Sequence, residues 1–322
     1  MPDVPAAVGR GDLSFLDEDA LAAFVVAQRW FGSKAQEVPH LGVLEAVPLK
    51  LEPPMLANAL VEARFAPGNH EVYQLPLGLR ADEEAWSQAV IARADGFTAY
   101  DALADPKLAG RLLELMGSCA TVESGEAALT FHWVEDFPRP RADADVVRPM
   151  GGEQSNSSVV FDDALVLKAY RRIEAGINPE LEVLRFLTER RFASIAPLAG
   201  WYEYTGRLMG ATLGVLQEFL TSGRDGWELA LEELSKDPDT FLERVHALGA
   251  VTGQMHAVLA SAPDDPTFAP EEPGSESLAL LSATVDEEIE RLFLDLPDDA
   301  EVAPIAGRGE EVREQLRLLT PV

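Results

Sequence analysis

The feature that most constrains this chain is an ordered run of short strands, turns and one helix between residues 146 and 219. Asp162 and Asp163 predict a tight turn inside the run. Asn178 followed by Pro179 is typical of a helix start, and this helix is predicted to reach about residue 190. The predicted strands are 146–150, 158–161, 164–170, 198–204 and 207–219.

Polar residues sit at particular places in this run. The loop GGEQSNSS, residues 151–158, could bring backbone N–H groups close to phosphates. Lys168 on the third strand could neutralise those phosphates, and Glu180 or Glu182 on the helix could hold the lysine. Taken singly, these features are more typical of a hairpin turn, a solvated lysine and a solvated helix face. Their order along the chain favours the nucleotide-binding lobe of a kinase.

The remaining elements suggest a mixed first part and a helical last part. The polar segment 139–145 contains proline and is interpreted as a boundary. Before it, strands are predicted at 41–49, 57–65, 70–77 and within 122–134, and helices at 17–31, 83–96 and 107–116. After residue 225, helices are predicted at 225–235, 238–260, 275–295 and 308–319.

Charge and cysteine content exclude several classes of protein. The chain has 26 Lys and Arg against 55 Asp and Glu, a net charge of −29, which disfavours a nucleic-acid partner. Cys119 is the single cysteine, so a disulfide framework or a Cys-rich zinc site is excluded. No apolar run reaches the length of a membrane span, and no secretory signal begins the sequence. A cytoplasmic protein is expected.

Five motifs together resemble the maltokinases, sugar kinases of the aminoglycoside-phosphotransferase-like group. QRWFGSK, residues 28–34, resembles the signature of the N-terminal cap of that family. Actinobacterial glucosamine kinases are similar over the same segments, and both alternatives stay open. The other four motifs are EQSNSSVVF (153–161), LVLKAYRR (165–172), GINPELEVLRFLTER (176–190) and LQEFLTSGRDGWELAL (216–231).

The resemblance implies an α+β, protein-kinase-like fold with an N-terminal cap and an incomplete C-terminal lobe. The implied domains are the cap (1–100), the nucleotide-binding lobe (101–220) and the first helices of the C-terminal lobe (221–322).

The resemblance also implies roles for individual residues. Lys168 would contact ATP phosphates, with Glu182 as its first-choice partner and Glu180 as a rival. Gln28, Arg29, Trp30 and Phe31 would sit in the cap, where anchoring the cap to the lobe is favoured over a direct role in substrate binding. The loop Gly151, Gly152, Glu153, Gln154, Ser155, Asn156 and Ser157 would cover the phosphates, and Gln217, Glu218, Phe219 and Leu220 would form the hinge.

The resemblance implies ATP and Mg²⁺ as cofactors and a small sugar as acceptor. Maltose would give maltose 1-phosphate for α-glucan (glycogen) synthesis, and glucosamine would give glucosamine 6-phosphate. The family's catalytic-loop motif, like H-G-D-x-H-x-G-Q, and its later D-F-E-like motif do not occur in these 322 residues. We therefore expect a chain truncated before the catalytic loop, without a catalytic aspartate and inactive alone. A non-catalytic nucleotide-binding module is the other alternative.

Overall fold

The computed structural model describes residues 3–66, 68–81, 86–94, 96–139, 146–150, 155–207, 209–300 and 302–319. The helices are α1 Val4–Gly9, α2 Glu18–Ala27, α3 Pro106–Gly117, α4 Pro179–Glu189, α5 Gly226–Lys236, α6 Pro238–Leu259, α7 Ser275–Leu294 and α8 Gly309–Leu319. The strands are β1 His40–Lys50, β2 Met55–Arg64, β3 His70–Ala81, β4 Val90–Ala94, β5 Phe97–Asp101, β6 Thr121–Ser124, β7 Ala127–Trp133, β8 Val147–Met150, β9 Asn156–Phe161, β10 Leu165–Tyr170, β11 Arg172–Ile173, β12 Leu198–Thr205 and β13 Gly210–Glu218.

The first sheet has the strand order β1-β2-β3-β5-β4, and every pair in it is antiparallel. The two-residue strand β11, which comes much later in the chain, also pairs with β3. Helix α2 packs on β1 and β4. Its core includes Leu21 and Val25 of α2 together with Trp30 and Phe31, all of which are buried.

The second sheet is also antiparallel and has the order β6-β7-β12-β13-β10-β9-β8. Helix α3 packs on β7, β8 and β12. The amphipathic pattern of α3 explains this position, because Leu108, Leu112 and Met116 recur at helical spacing and are buried. Asp162 and Asp163 both have φ of +50° in the tight turn between β9 and β10, as predicted.

The chain divides into two compact units, Met1–Val258 and Leu259–Val322. Both sheets lie in the first unit. In the second unit, α8 is tied to α7 because Arg313 contacts Asp286 at 3.2 Å and Glu290 at 3.0 Å. None of the helices within the described ranges combines the length and the apolar character that crossing a bilayer requires.

Two expectations about secondary structure are wrong. The segment 83–96 was predicted as a helix, but its described part contains β4, which is held by pairing with β5. The second sheet has seven strands rather than the five expected, because β6 and β7 extend it beyond β12. In the segment that forms β4, pairing with β5 outweighs the local helix propensity. The domain boundaries at residues 100 and 220 stay a prediction.

Candidate functional site

The centre of the candidate site is an ion pair between β10 and α4. Nζ of Lys168 lies 3.0 Å from Oε2 of Glu180 and donates a hydrogen bond to Oε1 at 3.1 Å. The hydroxyl of Tyr170 donates to Oε2 of the same carboxylate at 3.0 Å. The side chains of Lys168 and Glu180 keep 26% and 35% of their surface exposed, so a ligand can still reach the ammonium group.

The start of α4 places Glu180 at this point. Asn178 caps the helix by accepting a hydrogen bond from the backbone N–H of Glu180 at 2.9 Å. The backbone N–H of Asn178 donates to the hydroxyl of Thr212 on β13 at 3.0 Å, which ties the cap to the sheet. A carboxylate in the first turn is also favoured by the helix dipole. Glu180 is therefore held by β13 as well as by its own helix.

The first-choice assignment of Glu182 as the partner of Lys168 is wrong, and the rival Glu180 is the observed partner. Two residues along an α-helix are separated by a rotation of about 200° around the axis. The two carboxylates therefore point to different sides of α4, and only one can face β10.

The strand register defines which side chains share the face of Lys168. Lys168 lies opposite Ser158 on β9 and opposite Val215 on β13, while Val166 lies opposite Val160. Directly opposed residues project on the same face of a sheet. An apolar patch of Val160 and Val166 therefore adjoins the ion pair on this face.

Ser158 ends the predicted loop, but sequence reasoning assigned its side chain no role of its own. It is only 3% exposed, and its hydroxyl has no hydrogen-bond partner within the described part of the chain. A buried hydroxyl without a partner is costly, so a bound group that pairs with it would be favoured. The period of two along β9 could have identified Ser158, since it puts residues 156, 158 and 160 on one face.

Ser157 was predicted to cover the phosphates, but its side chain contacts Arg171 instead. Its partner in the register is Ala169, on the face opposite Lys168, and its hydroxyl accepts a hydrogen bond from Arg171. Asn156 donates to the hydroxyl of Ser155 at 3.2 Å. Four residues of the predicted loop, Gly151, Gly152, Glu153 and Gln154, lie outside the described residues.

The predicted hinge, Gln217–Leu220, has two backbone N–H groups already engaged. Glu218 donates to the carbonyl of Pro197 at 3.1 Å, and Phe219 donates to the carbonyl of Ala164 at 2.8 Å. The side chain of Gln217 donates to the carbonyl of Ala196 at 3.0 Å. Within the described residues, the backbone N–H of Leu220 has no acceptor. It is the hinge donor that remains for a ligand.

A groove of about 1160 Å³ borders the hinge at Glu218 and Leu220. Trp201 lies in its wall, with the ring of His132 stacked at 4.5 Å and the guanidinium of Arg185 at 5.0 Å from the ring centroid. The ring of Trp201 is therefore already engaged by two side chains, although the residue is partly exposed in the groove.

The QRWFGSK segment is built into the first sheet. The rings of Trp30 and Phe31 lie 5.7 and 5.3 Å from the ring of Tyr73 on β3. Ser33 donates to the carboxylate of Glu71, which also lies 3.4 Å from Nε of Arg172. The side chain of Gln28 caps the preceding helix through the carbonyl of Phe24, and Arg29 is exposed. The segment therefore has extensive structural contacts.

Gln74 links the first sheet to the second. Its amide donates to the carbonyls of Tyr170 and Leu213 at 2.8 and 2.9 Å, and its oxygen accepts from the hydroxyl of Tyr202 at 2.8 Å. Burial raises the pKa of Tyr202, which is enclosed between the sheets. Glu45 of β1 also accepts a hydrogen bond from Tyr204 of β12. The two sheets are joined by buried polar contacts.

A metal site is not formed by the part of the chain that the structure describes. No group of three or more His, Cys, Asp or Glu side chains there could hold an ion. The described residues therefore offer no complete set of protein ligands for the expected Mg²⁺.

Comparison with known proteins agrees with this architecture. Residues 24–105 match the maltokinase N-terminal cap domain. A structure of glucosamine kinase in complex with glucosamine, ADP and inorganic phosphate superposes with a TM-score of 0.58 at 16% identity, covering 94% of this chain and 64% of that chain. Crystal form A of glucosamine kinase gives 0.58 at 15% identity, with the same coverage of 94% and 64%.

These matches confirm the cap resemblance and the kinase-like α+β fold. The chain spans less than two thirds of the length of the solved structures it matches. At 15–16% sequence identity, the structural similarity is evidence for the fold alone.

Proposed function

We propose that the second sheet binds ATP and that the chain comprises the cap and nucleotide lobe of an ATP-dependent sugar kinase. The observation that carries the proposal is the ion pair of Lys168 and Glu180 on the face that also holds Ser158, Val160 and Val166. An ammonium group held by a helix carboxylate is the arrangement that kinases use to bind the phosphates of ATP.

The base and the phosphates of ATP each have counterparts among the described residues. Within the described residues the backbone N–H of Leu220 donates to no acceptor, so it can donate to the adenine ring. Val166, which is half-buried, supplies an apolar surface for the base, with the buried Val160 beside it on the same face. Lys168 and the unpartnered hydroxyl of Ser158 supply charge and a hydrogen bond to the phosphates.

The proposed overall reaction transfers the γ-phosphoryl group of ATP to a sugar hydroxyl and forms ADP and a sugar phosphate. Mg²⁺ would accompany ATP, and no step is assigned to it because the described residues form no cluster of ligands for it. The sequence holds no catalytic-loop motif, so we expect these 322 residues to bind nucleotide without turning over. A non-catalytic nucleotide-binding module in the cytoplasm is the second candidate.

The acceptor sugar has two candidates. The cap match to maltokinase favours maltose, and the fold match to glucosamine kinase favours glucosamine. Titration of each sugar into the ATP-loaded chain compares them directly, with heat of binding as the readout.

Calorimetry with ATP·Mg tests the proposal on the full chain and on Lys168→Ala. We expect binding by the parent chain and loss of at least about tenfold in affinity for the variant, equivalent to about 1.4 kcal/mol. Lys236→Ala is the matched control, because this exposed lysine on α5 contacts only Glu232 in the described structure. Absence of ATP binding by the folded parent chain contradicts the proposal.

A further inference from the structure

Arg171 follows β10 directly and is among the most buried side chains of the protein, with 1% of its surface exposed. Its Nη2 forms an ion pair with the carboxylate of Asp101, and its Nε donates to the hydroxyl of Ser157 at 2.8 Å. The guanidinium also lies 5.0 Å from the ring centroid of Trp30. Contacts with Asp101, Ser157 and Trp30 therefore fix the position of this side chain.

The three partners come from different parts of the fold. Asp101 ends β5 and Trp30 belongs to the QRWFGSK segment, so both are part of the first sheet and its core. Ser157 lies on β9 of the second sheet, next to Ser158. Asp101 is itself held, because its Oδ1 accepts the backbone N–H of Leu103 at 3.1 Å. The guanidinium thus ties a fixed point of the first sheet to β9.

We propose that Arg171 is a positioning residue for the nucleotide site, holding β9 from the face opposite Lys168. The inference rests on the proposed function. Ser157 and Ser158 are neighbours on a strand, so a hydrogen bond to one limits the movement of the other. By the same route, Arg171 sets how close Ser158 lies to the phosphates.

The hydroxyl of Ser157 offers a way to cut this link without removing a buried charge. Ser157→Ala leaves the ion pair of Arg171 and Asp101 in place, whereas a change at Arg171 would leave Asp101 buried without a partner. Ser157→Thr keeps a hydroxyl and should restore the link. Ser118→Ala is a matched control, because that hydroxyl donates to the carbonyl of Glu114 at the exposed end of α3.

The experiment compares ATP·Mg with adenosine, which lacks phosphates. Calorimetry gives the Kd of ATP·Mg, and a Tm titration gives the Kd of adenosine. We expect Ser157→Ala to raise the Kd of ATP·Mg about tenfold and to change the Kd of adenosine by less than about twofold. Ser157→Thr should return the Kd of ATP·Mg to within about threefold of the parent value.

The outcomes separate this inference from the proposed function. If the parent chain binds ATP·Mg but Ser157→Ala binds it equally well, or loses ATP·Mg and adenosine in the same proportion, the positioning role is wrong and the nucleotide site stands. If the folded parent chain binds neither ligand, both ideas fall. A changed Tm with unchanged Kd values assigns Arg171 a purely structural role and overturns the inference.

Discussion

Glu180 approaches Lys168 from the first turn of α4, with 3.0 Å between Oε2 and Nζ. The carboxylate serves two donors, since Tyr170 also donates to Oε2. Both donors belong to β10, so the position of α4 and the direction of the lysine side chain depend on each other.

Glu180→Gln removes the negative charge while keeping the length of the side chain. We expect the Kd for ATP·Mg to rise by about tenfold, because the ammonium group is no longer oriented by an opposite charge. The free energy of unfolding should change by about 1 kcal/mol or less, since partly exposed ion pairs contribute little to stability. Calorimetry and urea denaturation measure the two effects.

Glu182→Gln is the matched control on the same helix turn. Its Kd for ATP·Mg should stay within about twofold of the parent value, as the structure pairs Lys168 with Glu180. Equal effects from the two variants would mean that the charge of α4, and not the specific pair, supports binding.

Gly214 on β13 is a position where a methyl group does not fit. A Cβ there would lie 2.6 Å from the ring of Tyr202 and 2.7 Å from the carbonyl oxygen of Lys168. Gly214→Ala should lower the free energy of unfolding by about 1–3 kcal/mol through overpacking. It should also weaken ATP·Mg binding, because the backbone of Lys168 must shift.

Gly210→Ala on the same strand is the control for this change. Its Cβ would meet only the carbonyl oxygen of Tyr204, at the ordinary distance of 3.9 Å. Thermal and urea unfolding should place this variant within about 0.5 kcal/mol of the parent. If the two alanine variants unfold alike, the close approach at Gly214 does not constrain the sheet.

Gln74→Leu should be one of the most destabilising single changes in the first unit. It leaves the carbonyls of Tyr170 and Leu213 and the hydroxyl of Tyr202 without this buried partner. Each such loss costs about 1–3 kcal/mol, so we expect a total of about 3 kcal/mol or more. Gln36→Leu changes an exposed glutamine in the same way and should cost less than about 0.5 kcal/mol in urea denaturation.

High pH should unfold the protein through its tyrosines. Burial is the main cause that raises the pKa of Tyr73, Tyr100, Tyr202 and Tyr204 above the ordinary value of 10.0. Below that value these phenols are neutral in both states, so their contribution to stability is complete. Above it, the unfolded chain loses protons first, and stability falls as the pH rises towards the folded-state values.

Tyrosinate absorbance and circular dichroism, followed together from pH 8 upwards, test this expectation. The two signals should change together above about pH 10, because the buried phenols ionise mainly when the chain unfolds. The chain in concentrated urea should titrate near the ordinary value. Ionisation of all the tyrosines near pH 10 with unchanged circular dichroism would contradict the assigned burial.

Local signals made much of the second sheet predictable. The helix start at Asn178 and Pro179 and the turn at Asp162 and Asp163 are encoded by residues that favour those backbone conformations. Lys168 was identified by its order relative to the loop and the helix. Such features depend on a few adjacent residues, so they can be read without the rest of the chain.

Contacts between distant residues were not predictable in this way. Which of Glu180 and Glu182 meets Lys168 depends on how α4 is rotated against the sheet, and a sequence pattern does not specify that rotation. The strand β4 depends on pairing with β5, and β11 is too short to show any period. Arg171 looks like an ordinary charged residue until Asp101, 70 residues earlier, is placed beside it.

The pairing of β11 with β3 has a consequence for the order in which the protein can be made. On the side of β3 away from β2, Val72 and Tyr73 pair with Ile173 and Arg172, and Gln74 donates to the carbonyl of Tyr170, 96 residues further along. While the ribosome is still translating the segment between β3 and β11, the first sheet therefore lacks the strand β11. The buried amide of Gln74 also lacks its acceptors during that time. The first sheet can complete its hydrogen bonding only after the strands of the second sheet that precede β11 have left the ribosome. Folding of the two sheets is therefore coupled during synthesis.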